Sequence, residues 1–143
     1  MRISLVLIGA VFLLLSGCKD ADHADLVPVS GTVTLDGKEL PNATVWFSPV
    51  DETKGQGGTS ATDASGKYTL QGPRGQAGIP AGEYKVVISR RLMRDGSPAP
   101  AGGAEDSPAR ETLPPRFSDA QATQLTAKIM PGTTSVDFPL KSN

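Results

Sequence analysis

From Val27 onwards the chain alternates apolar and polar residues with a period of two, and turn residues interrupt each run. Alternation of this kind is typical of strands with one face in a core and one in solvent. Asp36-Gly37-Lys38 and Asp63-Ala64-Ser65-Gly66 are strong turn signals between such runs. The pattern predicts an all-β domain of about seven short antiparallel strands arranged as a β-sandwich, with a small barrel as the alternative.

The predicted strands cover 27–35, 43–48, 59–63, 67–70, 84–89, 124–130 and 134–140. The strongest of them places Tyr84, Val86 and Ile88 towards the core. The last two are joined by Pro131-Gly132, as in a hairpin, and an outward-facing Pro139 predicts that the final strand lies at a sheet edge. Residues 90–111 have no period and are rich in Gly, Pro, Ala and Ser, which predicts a long exposed loop. No helix is expected after the N-terminal segment.

The N-terminal segment has the layout of an export signal. Arg2 precedes an apolar run of about 13 residues, too short for a membrane span of about 20. Ser16 and Gly17 then stand directly before Cys18, the only cysteine of the chain. This arrangement resembles the lipobox of bacterial lipoproteins, in which the thiol takes a diacylglyceryl group and the chain is cut just before it.

The lipobox resemblance divides the chain into three parts. It implies a signal peptide over 1–17 with cleavage between Gly17 and Cys18, a polar tether over 18–26, and a folded domain over 27–141. Two acyl chains would hold the protein stably at a membrane, so we expect a lipid-anchored protein of the cell envelope. Lys19 rather than Asp follows Cys18, which favours the outer membrane over the inner one.

Three segments of the domain, 29–45, 62–68 and 80–86, resemble carboxypeptidase regulatory-like domains. Pro114-Pro115-Arg116-Phe117 is similar to a segment that precedes the last hairpin in short bacterial lipoproteins made of this domain alone. The resemblance implies a seven-stranded, antiparallel Greek-key sandwich like that of transthyretin. It does not extend to the hydroxyisourate hydrolases of that fold, because the single histidine, His23, lies in the tether and the chain ends Lys141-Ser142-Asn143.

The residues offer little for catalysis or metal binding. One cysteine and one histidine, both before Val27, leave the domain without a disulfide or a His base for a nucleophile. The spacing of the candidate oxygen ligands matches no calcium loop, and turns or solvated loops explain them better; they are Asp51, Glu52, Asp63, Ser65 and the pair Glu105-Asp106. We expect no catalytic residue, no metal and no cofactor.

Two surface features are candidates for contact with a partner. Arg90 and Arg91 form a small basic cluster that would suit an acidic partner, but a net charge of −1 argues against nucleic acid. Trp46 lies on the face of its strand opposite Val45 and Phe47. We expect the 90–111 loop to cover it; if exposed, it would be an aromatic contact for a glycan or a peptide.

These observations predict a non-catalytic, lipid-anchored envelope module that binds a protein or glycan partner or serves structurally. A subunit of a larger envelope complex remains open, and an apolar patch around Trp46 would favour it. A hydrolase or metal-dependent enzyme with an unfamiliar site also remains open, and a pocket of converging polar side chains would favour that.

Overall fold

The computed structural model describes residues 25–100, 107–133 and 135–143, and these are nearly all β. The predicted signal segment 1–17, Cys18 and Glu105-Asp106 lie outside the described residues. The strands are β1 Leu26–Val27, β2 Ser30–Leu35, β3 Lys38–Glu39, β4 Thr44–Pro49, β5 Gly58–Ala61, β6 Lys67–Thr69, β7 Ile79–Pro80, β8 Gly82–Ser89, β9 Arg91–Leu92, β10 Arg110–Glu111, β11 Thr126–Ile129 and β12 Phe138–Leu140, and the one helix described is α1 Pro115–Ser118.

The first large sheet has the strand order β11-β8-β4-β5, and every pair in it is antiparallel. The two central strands carry the clearest alternation, which is why their register is well determined. Val45 lies opposite Ile88 and Phe47 opposite Val86, and all four side chains are buried. The inward face predicted for β4 and β8 is therefore confirmed.

The second large sheet is built around β2, which pairs with β12, β3 and β6. Asp36 and Gly37 both have positive φ, 51° and 82°, which suits the two-residue turn that joins β2 to β3. β12 lies at the edge of this sheet, as Pro139 predicted, but it runs parallel to β2. The prediction of a wholly antiparallel fold is wrong at this pair.

The core lies where side chains from both sheets meet in a cluster of four aromatic rings. Phe47 packs against Tyr68, Tyr84 and Phe138 with ring centroids 5.9–6.4 Å apart. The Tyr84 hydroxyl donates to the carbonyl of Pro80 at 2.7 Å, and the Tyr68 hydroxyl donates to the carbonyl of Val136 at 2.5 Å. Burial raises the pKa of both phenols, so each stays a neutral donor.

The turn at Pro131-Gly132 does not close a hairpin. β11 pairs with β8 and β12 pairs with β2, so this turn carries the chain from one sheet to the other. The prediction of a last hairpin is wrong, because turn residues show where the chain reverses but not which strand becomes the partner.

The two ends of the 90–111 segment are more ordered than the sequence indicates. β9 and β10 pair as an antiparallel ribbon that begins and ends this segment, and Ala109 is buried. The prediction of a long loop is therefore wrong at the ends of the segment, which form strands. The absence of a helix is also wrong: α1 forms one turn with Pro115 in its first position, where a missing N–H costs nothing, and buries Phe117. Among the residues that the structure describes, no helix is long and apolar enough to cross a membrane.

The predicted turn at Asp63 is confirmed. Its Oδ1 accepts the backbone N–H groups of Ser65 and Lys67 at 2.8 and 3.0 Å, and Gly66 has a φ of 72°. These hydrogen bonds hold the pKa of the Asp63 carboxyl below its usual range, the larger part coming from Lys67. The carboxylate therefore serves the turn, as the sequence predicted.

Candidate functional site

Trp46 is an exposed aromatic residue on the outer face of the first large sheet, with 58% of its surface accessible. Its neighbour in the chain, Phe47, points into the core, because successive side chains of a strand point to opposite faces. Trp46 lies on a central strand, where β8 and β5 hold the backbone from both sides. At this exposure Trp46 is not covered, so the expected cover is wrong and the exposed alternative holds.

The surroundings of Trp46 on this face are small and mostly polar. Val87 of β8 and Thr59 of β5 are its direct cross-strand neighbours. Two residues before Trp46 and on the same face of β4, Thr44 lies between Ser89 and Ala61. On the other side of Trp46 along β4, Ser48 lies opposite Lys85, whose Nζ donates to the carbonyl of Ala120 at 3.2 Å. Trp46 is therefore a single large ring among hydroxyl groups, short side chains and one engaged lysine, rather than the centre of a broad apolar patch.

A groove of about 880 Å³ runs beside Trp46. One side is the outer face of β4 and β5, and the other comes from the chain segments 56–58 and 71–73. Gln56, Gln71 and Thr59 are exposed residues of its lining, and Ser48 is half-buried. No Asp, Glu, Lys, Arg or His lines the groove among the described residues.

Backbone contacts fix the wall of this groove. Thr59 and Gln71 exchange two hydrogen bonds, from Thr59 N to Gln71 O at 2.9 Å and from Gln71 N to Thr59 O at 3.0 Å. A Cβ on Gly57 would come within 1.7 Å of the Phe47 carbonyl oxygen, so the loop passes directly against β4. The sequence showed this segment only as a Gly-rich polar loop; in the structure, Gly57 allows it to approach β4 closely.

Comparison with protein-family models and with curated proteins found no match for this chain. A flat aromatic ring, amides that both donate and accept, and hydroxyl groups are suited to binding. None of the groove's side chains is a base that would activate a nucleophile.

The two arginines predicted as a contact surface are engaged within the β9–β10 ribbon. Arg90 Nε donates to Thr112 Oγ1 at 2.8 Å, and Arg91 Nη2 donates to the carbonyl of Ala109 at 3.0 Å. Both residues are half-buried. They hold the ribbon together and are not brought near Trp46 by any contact that the structure gives.

Glu111 is a structural part of this ribbon that the sequence did not single out. Its carboxylate accepts from the Ser89 hydroxyl at 2.5 Å and from the backbone N–H groups of Arg90 and Leu113 at 3.0 and 2.9 Å. It thereby ties the end of β8 to the chain that returns to the core at Leu113. No spacing rule would have revealed the link to β8, because Ser89 and Arg90 lie more than 20 residues before Glu111.

A second groove of about 1260 Å³ has an acidic lining. Asp51, Glu52 and Glu83 contribute to it, together with Asp25 and Lys54. In the described part of the chain, no group of three or more His, Cys, Asp or Glu residues is placed to hold a metal ion. Asp51 and Glu52, two of the metal candidates, are exposed and lie in a turn.

Proposed function

We propose that this chain is an exported, lipid-anchored β-sandwich module of the cell envelope that binds a partner through the Trp46 face and has no catalytic activity. The exposure of Trp46 on a central strand carries the proposal. A tryptophan buries a large area at low entropic cost when a ligand covers it, which is why such residues dominate binding surfaces.

The arrangement of strands supports membership of the carboxypeptidase regulatory-like domains. The first large sheet supplies four strand positions. In the second sheet, β12 pairs with one edge of β2, and β6 and then β3 pair with the other edge. Counting β6 and β3 as one position gives three strand positions in this sheet and seven in the domain. Crossing between the sheets at Pro131-Gly132 fits the Greek-key, transthyretin-like connectivity that the resemblance implies.

The polar groups of the domain support a non-catalytic role. The buried polar side chains described are Thr62 and Thr123, and both hydroxyls are used by the backbone: Thr62 donates to Leu40 O at 2.6 Å, and Thr123 donates to Val86 O at 2.8 Å. The carboxyl groups with lowered pKa, Asp36, Asp63 and Asp95, are exposed and accept hydrogen bonds from nearby N–H or O–H groups. A catalytic acid or base is instead expected in a cleft with a pKa near the working pH.

The polar neighbours of Trp46 favour a binding module over a permanent subunit of a larger complex. An obligate interface resembles a domain core cut in half and is rich in apolar residues. Thr44, Thr59 and Ser48 surround the ring instead. The second exposed large hydrophobic residue described, Met130, lies after the end of β11 and does not line this groove.

We expect Cys18→Ala to abolish membrane anchoring. The native protein should lack residues 1–17, carry acyl chains on Cys18 and sediment with membranes, because two chains give stable anchoring. Intact mass and membrane fractionation measure both properties, with Lys19→Ala as a control that keeps the thiol. A full-length product with an unmodified thiol would contradict the anchor.

We expect a photo-crosslinking amino acid at Thr44 to capture a partner in intact cells. Thr44 is exposed on the same face of β4, two residues before Trp46, so a probe at this position would reach a partner bound to the indole ring. The same probe at Met130 is the control, and Trp46→Ala should remove the adduct from the Thr44 probe. Equal adducts from both positions, insensitive to Trp46→Ala, would contradict a binding role for this face.

A further inference from the structure

We infer that the groove beside Trp46 binds an uncharged glycan, with a sugar ring stacked on the indole and its hydroxyl groups bonded by the flanking amides. The inference rests on the proposed function, since it names the ligand of the same face. It starts from the combination of one exposed flat ring with a polar but wholly uncharged groove.

The ring supplies the apolar part of the contact. Trp46 is 58% exposed and is held on a strand paired from both sides. A sugar ring presents a face of C–H groups, which packs on an aromatic face much as another apolar surface does. The negative face of the indole attracts the slightly positive C–H hydrogens, and stacking buries area without requiring a deep pocket.

The polar residues that line the groove supply hydrogen bonds of the kind that sugar hydroxyls need. The side-chain amides of Gln56 and Gln71 each donate and accept, and the hydroxyls of Thr44 and Ser48 do the same. A sugar hydroxyl is also both a donor and an acceptor, so it can either donate to these side chains or accept from them. Thr59 already donates to the carbonyl of Val45 at 3.2 Å, which leaves its oxygen oriented as an acceptor.

The charge of the lining selects against other ligands. Binding of phosphate, sulfate or carboxylate groups relies on Lys or Arg, and neither lines this groove. An extended peptide would add to a free strand edge, but β5 is already bridged to Gln71 at Thr59 by two backbone hydrogen bonds. The acidic groove of about 1260 Å³ shows the contrast, since Asp51, Glu52 and Glu83 would repel anions there.

The groove is also formed before any ligand arrives. The Thr59–Gln71 bridge and the close passage of Gly57 against the Phe47 carbonyl hold the Gln56 and Gln71 segments next to β4. A preformed site avoids the cost of ordering its loops on binding. Binding should therefore change the surroundings of Trp46 without a change in the fold.

Fluorescence provides the test, because Trp46 is the only tryptophan in the chain. The native protein, extracted from membranes in a detergent without a sugar headgroup, is titrated with neutral oligosaccharides: β-glucan, α-glucan, mannan and β-linked N-acetylglucosamine hexamers. An oligogalacturonate of the same length is the charged comparison. We expect a blue shift of the emission and a several-fold fall in acrylamide quenching with at least one neutral oligosaccharide, and no change with the charged one.

Variants identify the groove as the site. Gln56→Ala with Gln71→Ala should weaken the apparent affinity about tenfold, because two hydrogen-bonding groups are lost. Gln121→Ala, which removes an exposed amide in the turn before β11, is the matched control and should leave the affinity unchanged. Calorimetry should find no binding to Trp46→Ala and retained binding to Trp46→Phe, which keeps a ring.

The outcomes separate this inference from the proposed function. If no neutral oligosaccharide protects Trp46, or only the charged one does, while the Thr44 probe still captures a partner that Trp46→Ala releases, the glycan inference is overturned and the binding face stands. If neither oligosaccharides nor cellular partners respond to Trp46, both proposals fall. Protection by a neutral oligosaccharide that is lost with the two glutamines supports the inference.

Discussion

Phe47→Ala is expected to lower the free energy of unfolding by about 4 kcal/mol. The side chain is fully buried and touches the rings of Tyr68, Tyr84 and Phe138. These rings come from both large sheets, so the cavity would open where the two sheets meet and could not close by moving one strand. Trp46→Ala, one residue earlier, should change the same quantity by about 1 kcal/mol or less, because most of its ring faces solvent.

Urea unfolding followed by circular dichroism measures both variants without depending on the single tryptophan. The pair is its own control, since two adjacent aromatic residues of one strand are truncated to the same side chain. A similar loss from both would mean that Trp46 is packed as deeply as Phe47, and this would contradict the exposed face on which the binding proposal rests.

The outward position of Trp46 could be predicted from the sequence, but its exposure could not. The alternation of Ala43, Val45 and Phe47 with Thr44 and Trp46 fixes the face, because a strand has a period of two. Whether a loop covers that face depends on where the loop goes, and this is set by distant contacts. The 90–111 segment is held at its ends by β9 and β10, whose pairing joins residues nearly 20 positions apart.

The turn at Asp63 could be predicted from the sequence, but the pairing of the last strand could not, because the turn depends on short-range contacts and the pairing on long-range ones. Asp63 and Gly66 form their turn with hydrogen bonds that span four residues or fewer, so the sequence alone specifies them. The partner of β12, in contrast, is β2, about 100 residues earlier and parallel to it. A turn at Pro131-Gly132 contains no information about a strand so far away, which is why a local hairpin was the wrong expectation.

The groove beside Trp46 also depends on contacts between residues that are far apart in the sequence. Gln56 and Gln71 come from two separate loops, and each reads in the sequence as an ordinary polar loop residue. They reach one groove because Thr59 bonds to Gln71 and because Gly57 passes close to β4. The aromatic half of the candidate site was therefore visible in the sequence, whereas its amide half required the structure.

Gly31→Ala is expected to lower the free energy of unfolding by about 3 kcal/mol, the upper end for an atom added to a packed site. A Cβ at Gly31 would lie 1.9 Å from the Val136 carbonyl oxygen and 2.9 Å from a ring carbon of Tyr68. Backbone cannot give way as the tip of a long side chain does, so β2 and the Val136 segment must separate. Gly37→Ala is the control: nothing lies within 4 Å of its Cβ, and its left-handed backbone should cost only about 1 kcal/mol.

The cause of the Gly31 effect can be tested with a double-mutant cycle. The Tyr68 hydroxyl donates to the same Val136 carbonyl that the new Cβ would strike, and Val136 N donates to Ser30 O at 2.8 Å. Tyr68→Phe alone should cost about 1 kcal/mol, but in the Gly31→Ala background it should cost much less, because the carbonyl has already moved. If the two losses of stability were fully additive, the methyl group would not displace the Val136 carbonyl. The close contact between Gly31 and Val136 would then not be the cause of the destabilisation.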